Sequence, residues 1–225
     1  WSSEPEDLSP PEYFWGYNRM TSVAGLFGAG DAVGGTPHAF SSGSFTEGRL
    51  AAKAACQYID DGKAEGIQIS DKQINDLKET IFKPMEHYKT FRNEIVAGSV
   101  NPHYINPRQG LDRLQKLMDE YCGGVTVSYM TNEKLLNIGL KKIKILEEDL
   151  QKLAAEDIHE LLRAWELKHR MRTSESVLHH TMFRKETRWP GYYYRGDAMK
   201  LNDDEWHVLT VSRRDPKTGE YTLSE

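Results

Sequence analysis

The chain has 225 residues, 38% of them hydrophobic, and a formal net charge of −5, which allows one large domain or two small ones and argues against a broad nucleic-acid-binding surface. No apolar run approaches the length of a membrane span, and the N-terminus carries no signal-peptide pattern. The two cysteines, Cys56 and Cys122, are too few and too far apart for a disulfide framework or for a CxxC site holding zinc or an iron–sulfur cluster; as free thiols they fit a reducing cytoplasm, both expected buried and inert.

Residues 1–19 are rich in Pro, Glu and aromatics and read as an irregular segment. Residues 22–62 read as a strand–loop–helix unit. An apolar strand, Val23 to Phe27, leads into Gly28-Ala-Gly-Asp31; a Gly/Ser-rich loop follows, and the capping-box pattern Ser44-Phe-Thr-Glu47 places the start of a helix that Asp60-Asp61-Gly62 ends. Ser70-Asp71 caps a second helix, with Ile74, Leu77, Ile81 and Phe82 on one buried face and Pro84 breaking or kinking it. Arg108 to Tyr121 is helical, and Asn132 to Leu153 is a long amphipathic helix. A further helix starts at Glu156-Asp157, buries Ile158, Leu161, Leu162 and Trp165, and runs to about His180. Consecutive helices of this kind read as a small antiparallel bundle, and their apolar stripes as core. The last forty or so residues hold the aromatic cluster Tyr192-Tyr193-Tyr194, a turn at Asp203–Trp206, a strand from Trp206 to Ser212, a hairpin turn at Asp215–Gly219 and its partner strand Glu220 to Leu223. Both termini read as cut, so a fragment of a longer protein is expected.

The chemistry concentrates in residues 25–55. Glycines let a backbone approach a ligand, an acid after a strand accepts from a hydroxyl, and a helix N-terminus carries partial positive charge. That combination suits a flavin dinucleotide; an ordinary strand–loop–helix connection is the competing reading. Gly28-Ala-Gly-Asp-Ala-Val-Gly34 imitates a dinucleotide fingerprint but lacks a later ribose acid.

Two separated motifs carry a resemblance: Gly25-Leu-Phe-Gly-Ala-Gly-Asp31, with His38 seven residues later and Gly48-Arg-Leu-Ala-Ala52 on the helix, and Arg184-Lys-Glu-Thr-Arg188, with Arg195 and Asp203-Asp-Glu-Trp206. Their order and spacing resemble the flavoproteins of the succinate dehydrogenase and fumarate reductase superfamily. There, a His-Gly-Ala-Asn-Arg-Leu-Gly segment supplies the Arg that holds a dicarboxylate. This chain has His38-Ala-Phe-Ser-Ser-Gly-Ser44 instead, and serine cannot replace a bidentate cation. Pro37–Arg49 and Trp189-Pro-Gly-Tyr-Tyr-Tyr-Arg195 are similar to the α subunits of dissimilatory adenylylsulfate reductases, a branch of that superfamily.

The resemblance implies an α+β, mainly α fold: residues 1–66 ending an FAD-binding α/β domain, residues 67–183 a helical bundle domain, and residues 184–225 a C-terminal extended segment with a short β-hairpin. It implies FAD as cofactor and a reaction that converts adenylylsulfate to sulfite and AMP, or the reverse, through a flavin–sulfite adduct. Electrons would come from an iron–sulfur β subunit, whose clusters this chain does not hold. By position, Gly30, Asp31, Ser41, Ser42, Ser44 and Phe45 match FAD-binding positions, and His38 matches a histidine beside the substrate. No metal site is expected. Arg184, Arg188 and Arg195 could meet an anion, but ion pairs with Glu186 and the acidic turn are the stronger reading, and His169, His179 and His180 read as surface or packing residues. Another fumarate reductase-like or aspartate oxidase-like flavoprotein, or a non-catalytic helical interaction module, stays open at this point.

Overall fold

The computed structural model describes residues 2–33, 40–64, 66, 68–94 and 101–225. They divide into two units, Trp1–Gln73 and Ile74–Glu225.

In the first unit, helix α1 (Ser41–Asp60) is the one long regular element among the described residues. Its good helix formers Leu50 to Ala55 place Ala51 and Ala54 on the buried face. Residues 2–33 form two 3-10 turns, Pro11–Tyr13 and Gly30–Ala32, and isolated antiparallel bridges that pair Ser2 with Thr21 and Met20 with Phe27. The strand expected over Val23 to Phe27 is absent. Gly25 takes φ +77°, Thr21 Oγ1 accepts from the Val23 N–H at 3.1 Å, and the Thr21 N–H donates to the Leu26 carbonyl at 2.8 Å. These contacts close the apolar run into a turn that leaves Val23 and Leu26 exposed. At the far end of α1, the Tyr17 hydroxyl donates to Asp61 at 2.7 Å, and the Tyr17 and Phe27 rings meet Tyr58 edge-on at 5.2 and 6.0 Å.

Helix α2 (Asp71–Phe91) starts with a reciprocal cap: Ser70 Oγ accepts from the Gln73 N–H, and the Ser70 N–H donates to Gln73 Oε1. It runs through Pro84 without a break. A proline interior to a helix removes one backbone donor, and neighbouring segments bind this stretch: Trp165 Nε1 donates to the Ile81 carbonyl and the Ala155 N–H to the Pro84 carbonyl. Of the face expected to be buried, Ile74, Leu77 and Phe82 are exposed, and Pro84 is the buried residue.

The core of the second unit is built by α3 (Pro107–Tyr121), α4 (Glu133–Asp149) and α5 (Ile158–Phe183), each capped at its N-terminus by a side chain of Asn106, Asn132 or Asp157. Leu114 and Leu117, Leu136, Ile143 and Leu146, and Ala164, Leu167, Met171 and Leu178 interlock, each large side chain contributing about 1.5–3 kcal/mol by leaving water. At Gly110 a Cβ would lie 2.5 Å from Leu167 Cδ2, so α3 and α5 approach closely only because this position has no side chain. On α5 the buried stripe runs Leu161, Ala164, Leu167, Met171, Leu178, while Ile158 and Leu162 are exposed. The first turn offers two apolar faces, and packing selects the one that continues along the helix.

The C-terminal segment adds β2 (Tyr194–Arg195), parallel to β1 (Met130–Thr131), then the short helix α6 (Asp203–Trp206) and the antiparallel pair β3 (Val211–Arg214) and β4 (Tyr221–Ser224). Asp203–Trp206 is thus helical rather than a turn. Asn202 Oδ1 caps it, and its three acids sit in the favourable first turn. Trp206 is buried at the end of α6, so the following strand begins at Val211.

One ion pair joins two helix ends. Arg195, whose side chain is 2% exposed, donates from Nη1 to the Thr181, Met182 and Arg184 carbonyls, at the C-terminus of α5. Its Nε and Nη2 donate to Asp197, which also accepts from the Glu133 N–H, the first of α4. A cation thus closes one helix C-terminus and an anion one helix N-terminus, each on the favourable side of the dipole. The hydrogen bond from Arg195 outweighs the opposing burial and holds the Asp197 carboxyl at about 2. A carboxylate depressed below its unfolded value of about 3.9 stabilises the fold above that pH, and the stabilisation is lost as pH falls towards about 2. We predict that Asp197→Ala costs about 3 kcal/mol in urea unfolding at neutral pH, because it strands a buried guanidinium. We also predict that the cost shrinks between about pH 4 and pH 2. A pH-independent cost would show that the carboxylate charge is not the stabilising element.

Candidate functional site

The glycine turn and the first turn of α1 lie against each other. Gly30 is buried at φ +67°, and a Cβ built there would stand 3.2 Å from Ser44 Oγ. Both the left-handed conformation and the close approach require glycine. The Val33 N–H donates to the Gly30 carbonyl at 3.0 Å and closes the 3-10 turn that carries Asp31, which is exposed.

Helix α1 starts at Ser41, four residues earlier than the capping box implied. Its N-cap, Phe40, makes no side-chain cap, and the first turn holds no acid. Ser41, Ser42, Ser44 and Phe45 are exposed. The Ser44 N–H donates to the Phe40 carbonyl at 3.0 Å, while those of Ser41, Ser42 and Gly43 have no partner among the described residues and present partial positive charge next to Asp31 and the Gly30 turn. The capping box cannot form because Glu47 is used elsewhere. It is buried and takes a two-point contact from Arg19, Nε to Oε2 and Nη2 to Oε1, while Arg19 Nη1 also reaches Glu4 and Asn18. Arg19 sits at φ +62° and is itself buried. Its carbonyl accepts from the Gly28 N–H at 2.9 Å, two residues before Gly30. The pair thus ties the glycine turn to the second turn of α1. Residue spacing gave no hint of it, because the two partners are 28 positions apart; a lone Arg in an otherwise neutral, aromatic stretch was the one visible signal. His38 lies outside the described residues.

The second motif is structural. The Glu186 side chain is fully buried and accepts from Arg184, Arg188 and the Asn202 N–H. Burial raises its pKa, but these donors together hold it below the usual carboxylate range. Arg188 also pairs with Asp203 at 2.9 Å, and Arg184 donates to the Trp206 and Val208 carbonyls. Arg184 and Arg188 thus make the expected pairs with Glu186 and the acidic turn, whereas Arg195 pairs with Asp197 and the α5 carbonyls instead. His180 Nδ1 lies 3.1 Å from Thr210 Oγ1, and His179 stacks on Tyr221. Cys122 is buried, which pushes its thiol up to about 11; Cys56, expected buried, is exposed on α1. Among the described residues no group of three His, Cys, Asp or Glu could hold a metal, and no helix is long and apolar enough to cross a membrane.

We predict that Glu47→Ala, which strands the buried Arg19, lowers stability by about 3 kcal/mol and opens residues 2–33 to limited proteolysis. A variant as protease-resistant as the parent would mean that the turn is held without the pair.

The family model described as fumarate reductase flavoprotein C-term matches residues 111–225. The adenylylsulfate reductase α subunit of Megalodesulfovibrio gigas is 40% identical over 230 residues, which cover 98% of this chain and 34% of that protein. The structure of adenylylsulfate reductase from Archaeoglobus fulgidus superposes with a TM-score of 0.92 at 51% identity, over 100% of this chain and 35% of that one. A structure of adenosine-5-phosphosulfate reductase in complex with sulfite, described as a covalent adduct, matches with the same values. The chain spans about a third of the length of these relatives. Helices α4 and α5, most of α3, the Arg195–Asp197 pair and the hairpin fall inside the matched residues 111–225, and the chain belongs to the fumarate reductase flavoprotein C-terminal family.

Proposed function

We propose that the chain is the C-terminal part of the α subunit of an FAD-dependent adenylylsulfate reductase, which reduces adenylylsulfate to sulfite and AMP or runs the reverse reaction. The observation that carries this reading is similarity along the whole chain, 51% identity with a TM-score of 0.92, to an enzyme of that activity. The lack of an arginine between His38 and Ser44 supports it against a dicarboxylate substrate. Activity of the full-length protein tests it: with a low-potential electron donor it should release AMP and sulfite from adenylylsulfate and leave fumarate unreduced. Turnover of fumarate and none of adenylylsulfate would overturn it.

FAD, when bound, supplies two-electron chemistry at sulfur. The residues present fit one wall of its site. Gly30 lets the turn pack directly on Ser44 at the start of α1, Asp31 offers an exposed carboxylate to a ribityl or ribose hydroxyl, and the N-terminus of α1 lies beside the same turn. Ser41, Ser42, Ser44 and the Phe45 backbone would meet the pyrimidine edge of the ring, where a helix N-terminus favours negative charge by about 0.3–2 kcal/mol. His38 would stand beside the substrate. We predict that Asp31→Ala in the full-length protein loosens FAD roughly ten- to hundredfold, the worth of one charge-assisted hydrogen bond. Flavin retained after dialysis is the readout, and unchanged retention would make Asp31 a turn residue only.

The electron donor in this reading is an iron–sulfur β subunit carrying the clusters. The C-terminal segment offers a surface for it. Trp189 is 70% exposed and Tyr192 81%, whereas Trp206 is 5% exposed and Tyr193 half-buried. Aromatic anchors of this kind are enriched in interface cores. Trp189→Ala or Tyr192→Ala in the full-length α subunit should weaken binding of the β subunit by about 1–2 kcal/mol with the α fold intact. Unaltered affinity in both would remove this segment from the interface.

A further inference from the structure

A cleft of about 320 Å³ opens between the start of α3 and the middle of α5, lined by Pro107, Arg108, Leu111, Arg163, Glu166, Leu167 and Arg170. It exists because Gly110 draws the two helices together: Leu167 packs where a side chain at position 110 would stand. Its floor is apolar, from Leu167, which is buried, and Leu111, which is partly buried. Its rim carries three guanidinium groups in a protein of net charge −5. Their commitments are slight compared with those of Arg19, Arg184, Arg188 and Arg195. Arg108 makes one exposed pair with Asp112 at 2.9 Å, and Arg163 spends only Nε, on the ring of His159 at 3.3 Å. Among the described residues Arg170 has no ion-pair or hydrogen-bond partner. Glu166 is the one acid on the rim. The cleft also meets the N-terminus of α3, where Asn106 and Gln109 satisfy each other and Pro107 has no N–H, so the Arg108 N–H is an open donor there.

We propose that this cleft binds a small oxyanion ester, a phosphate or sulfate group that carries an apolar moiety. Guanidinium forks pair with tetrahedral oxyanions at two points, and Arg170, with no side-chain partner among the described residues, breaks no protein contact by doing so. The anion lies at the rim, between Arg163, Arg170 and the Arg108 N–H, and the apolar moiety covers Leu111 and Leu167. The cleft is larger than a free anion requires, which favours an ester over the inorganic ion. The cleft is built from residues of the second unit alone, the proposed flavin wall from residues of the first.

Titration calorimetry on the full-length protein at low ionic strength tests the proposal, with inorganic phosphate, inorganic sulfate and phenyl phosphate as probes. Phenyl phosphate should bind several-fold more tightly than either inorganic ion, and its affinity should fall as salt rises. Arg163→Gln with Arg170→Gln should weaken it at least about tenfold, the loss of one or two charged hydrogen bonds. Arg163→Lys with Arg170→Lys, which keeps the charge without the fork, should fall between. Thermal melts serve as the fold control, since both side chains are exposed. Equal affinity in the parent and the Gln variant, or no heat with phenyl phosphate, would overturn the proposal. A preference for the inorganic ions would overturn the role of the apolar floor.

Discussion

The buried pair of Arg19 and Glu47 is the constraint on which the first unit depends. The 2–33 segment has almost no regular structure, and it meets α1 through three sets of contacts: Gly30 with Ser44, Arg19 with Glu47, and, at the far end, Tyr17 and Phe27 with Tyr58 and the C-cap Asp61. The first positions the glycine turn and the last holds the far end of the helix. Only the middle one is buried and doubly bonded. A buried ion pair adds little net stability against an apolar alternative, but it penalises any arrangement that separates its partners by several kcal/mol. It therefore acts as a register lock. With Arg19 fixed, its carbonyl fixes Gly28, and the turn at Gly30 can lie in no other place along α1. The helix start is uncapped because Phe40 has no side-chain acceptor, and its first turn, Ser41-Ser-Gly-Ser44, holds no acid that would answer its dipole.

The second unit uses charge in the same way. Arg195 and Asp197 close opposite ends of two neighbouring helices, and Glu186 gathers Arg184 and Arg188 beneath α6. These groups are strongly charged, close in sequence and fully engaged, so their conspicuous motif describes how the C-terminal segment is fastened to the bundle. The rim of the α3–α5 cleft is the contrast: guanidinium groups there stand over an apolar floor with little to bind in the protein itself.

The helices were legible in the sequence because their caps are local. Ser70, Asn106, Asn132 and Asp157 each satisfy an N–H within three residues, and the boundaries followed. The hairpin was legible for the same reason: Asp215 Oδ1 accepts from the N–H groups of Lys217 and Thr218 and fixes the turn. What failed depended on distant partners. Ser44-Phe-Thr-Glu47 has the pattern of a capping box, but Arg19 takes its Glu. Val23 to Phe27 has strand composition, but Thr21 and Gly25 fold it back. The stripe Ile74, Leu77, Phe82 has the period of a buried face and is exposed, since periodicity says that a face is apolar and not what covers it. In the candidate site, the glycine turn and the existence of the helix were visible, but not where the helix starts. The close contact of Gly30 with Ser44, which makes them one surface, required coordinates.

The account rests on one spatial claim: that the uncapped first turn of α1, backed by the Gly30 turn, is the wall against which the flavin ring edge sits. A crystal structure of the full-length protein with FAD bound tests it most directly. The pyrimidine edge of the ring should lie within hydrogen-bonding distance, about 2.7–3.2 Å, of the first-turn backbone N–H groups at Ser41 to Gly43, with the Asp31 carboxylate on a ribityl or ribose hydroxyl. A flavin seated away from α1, with that turn facing solvent or filled by a protein side chain, would contradict it.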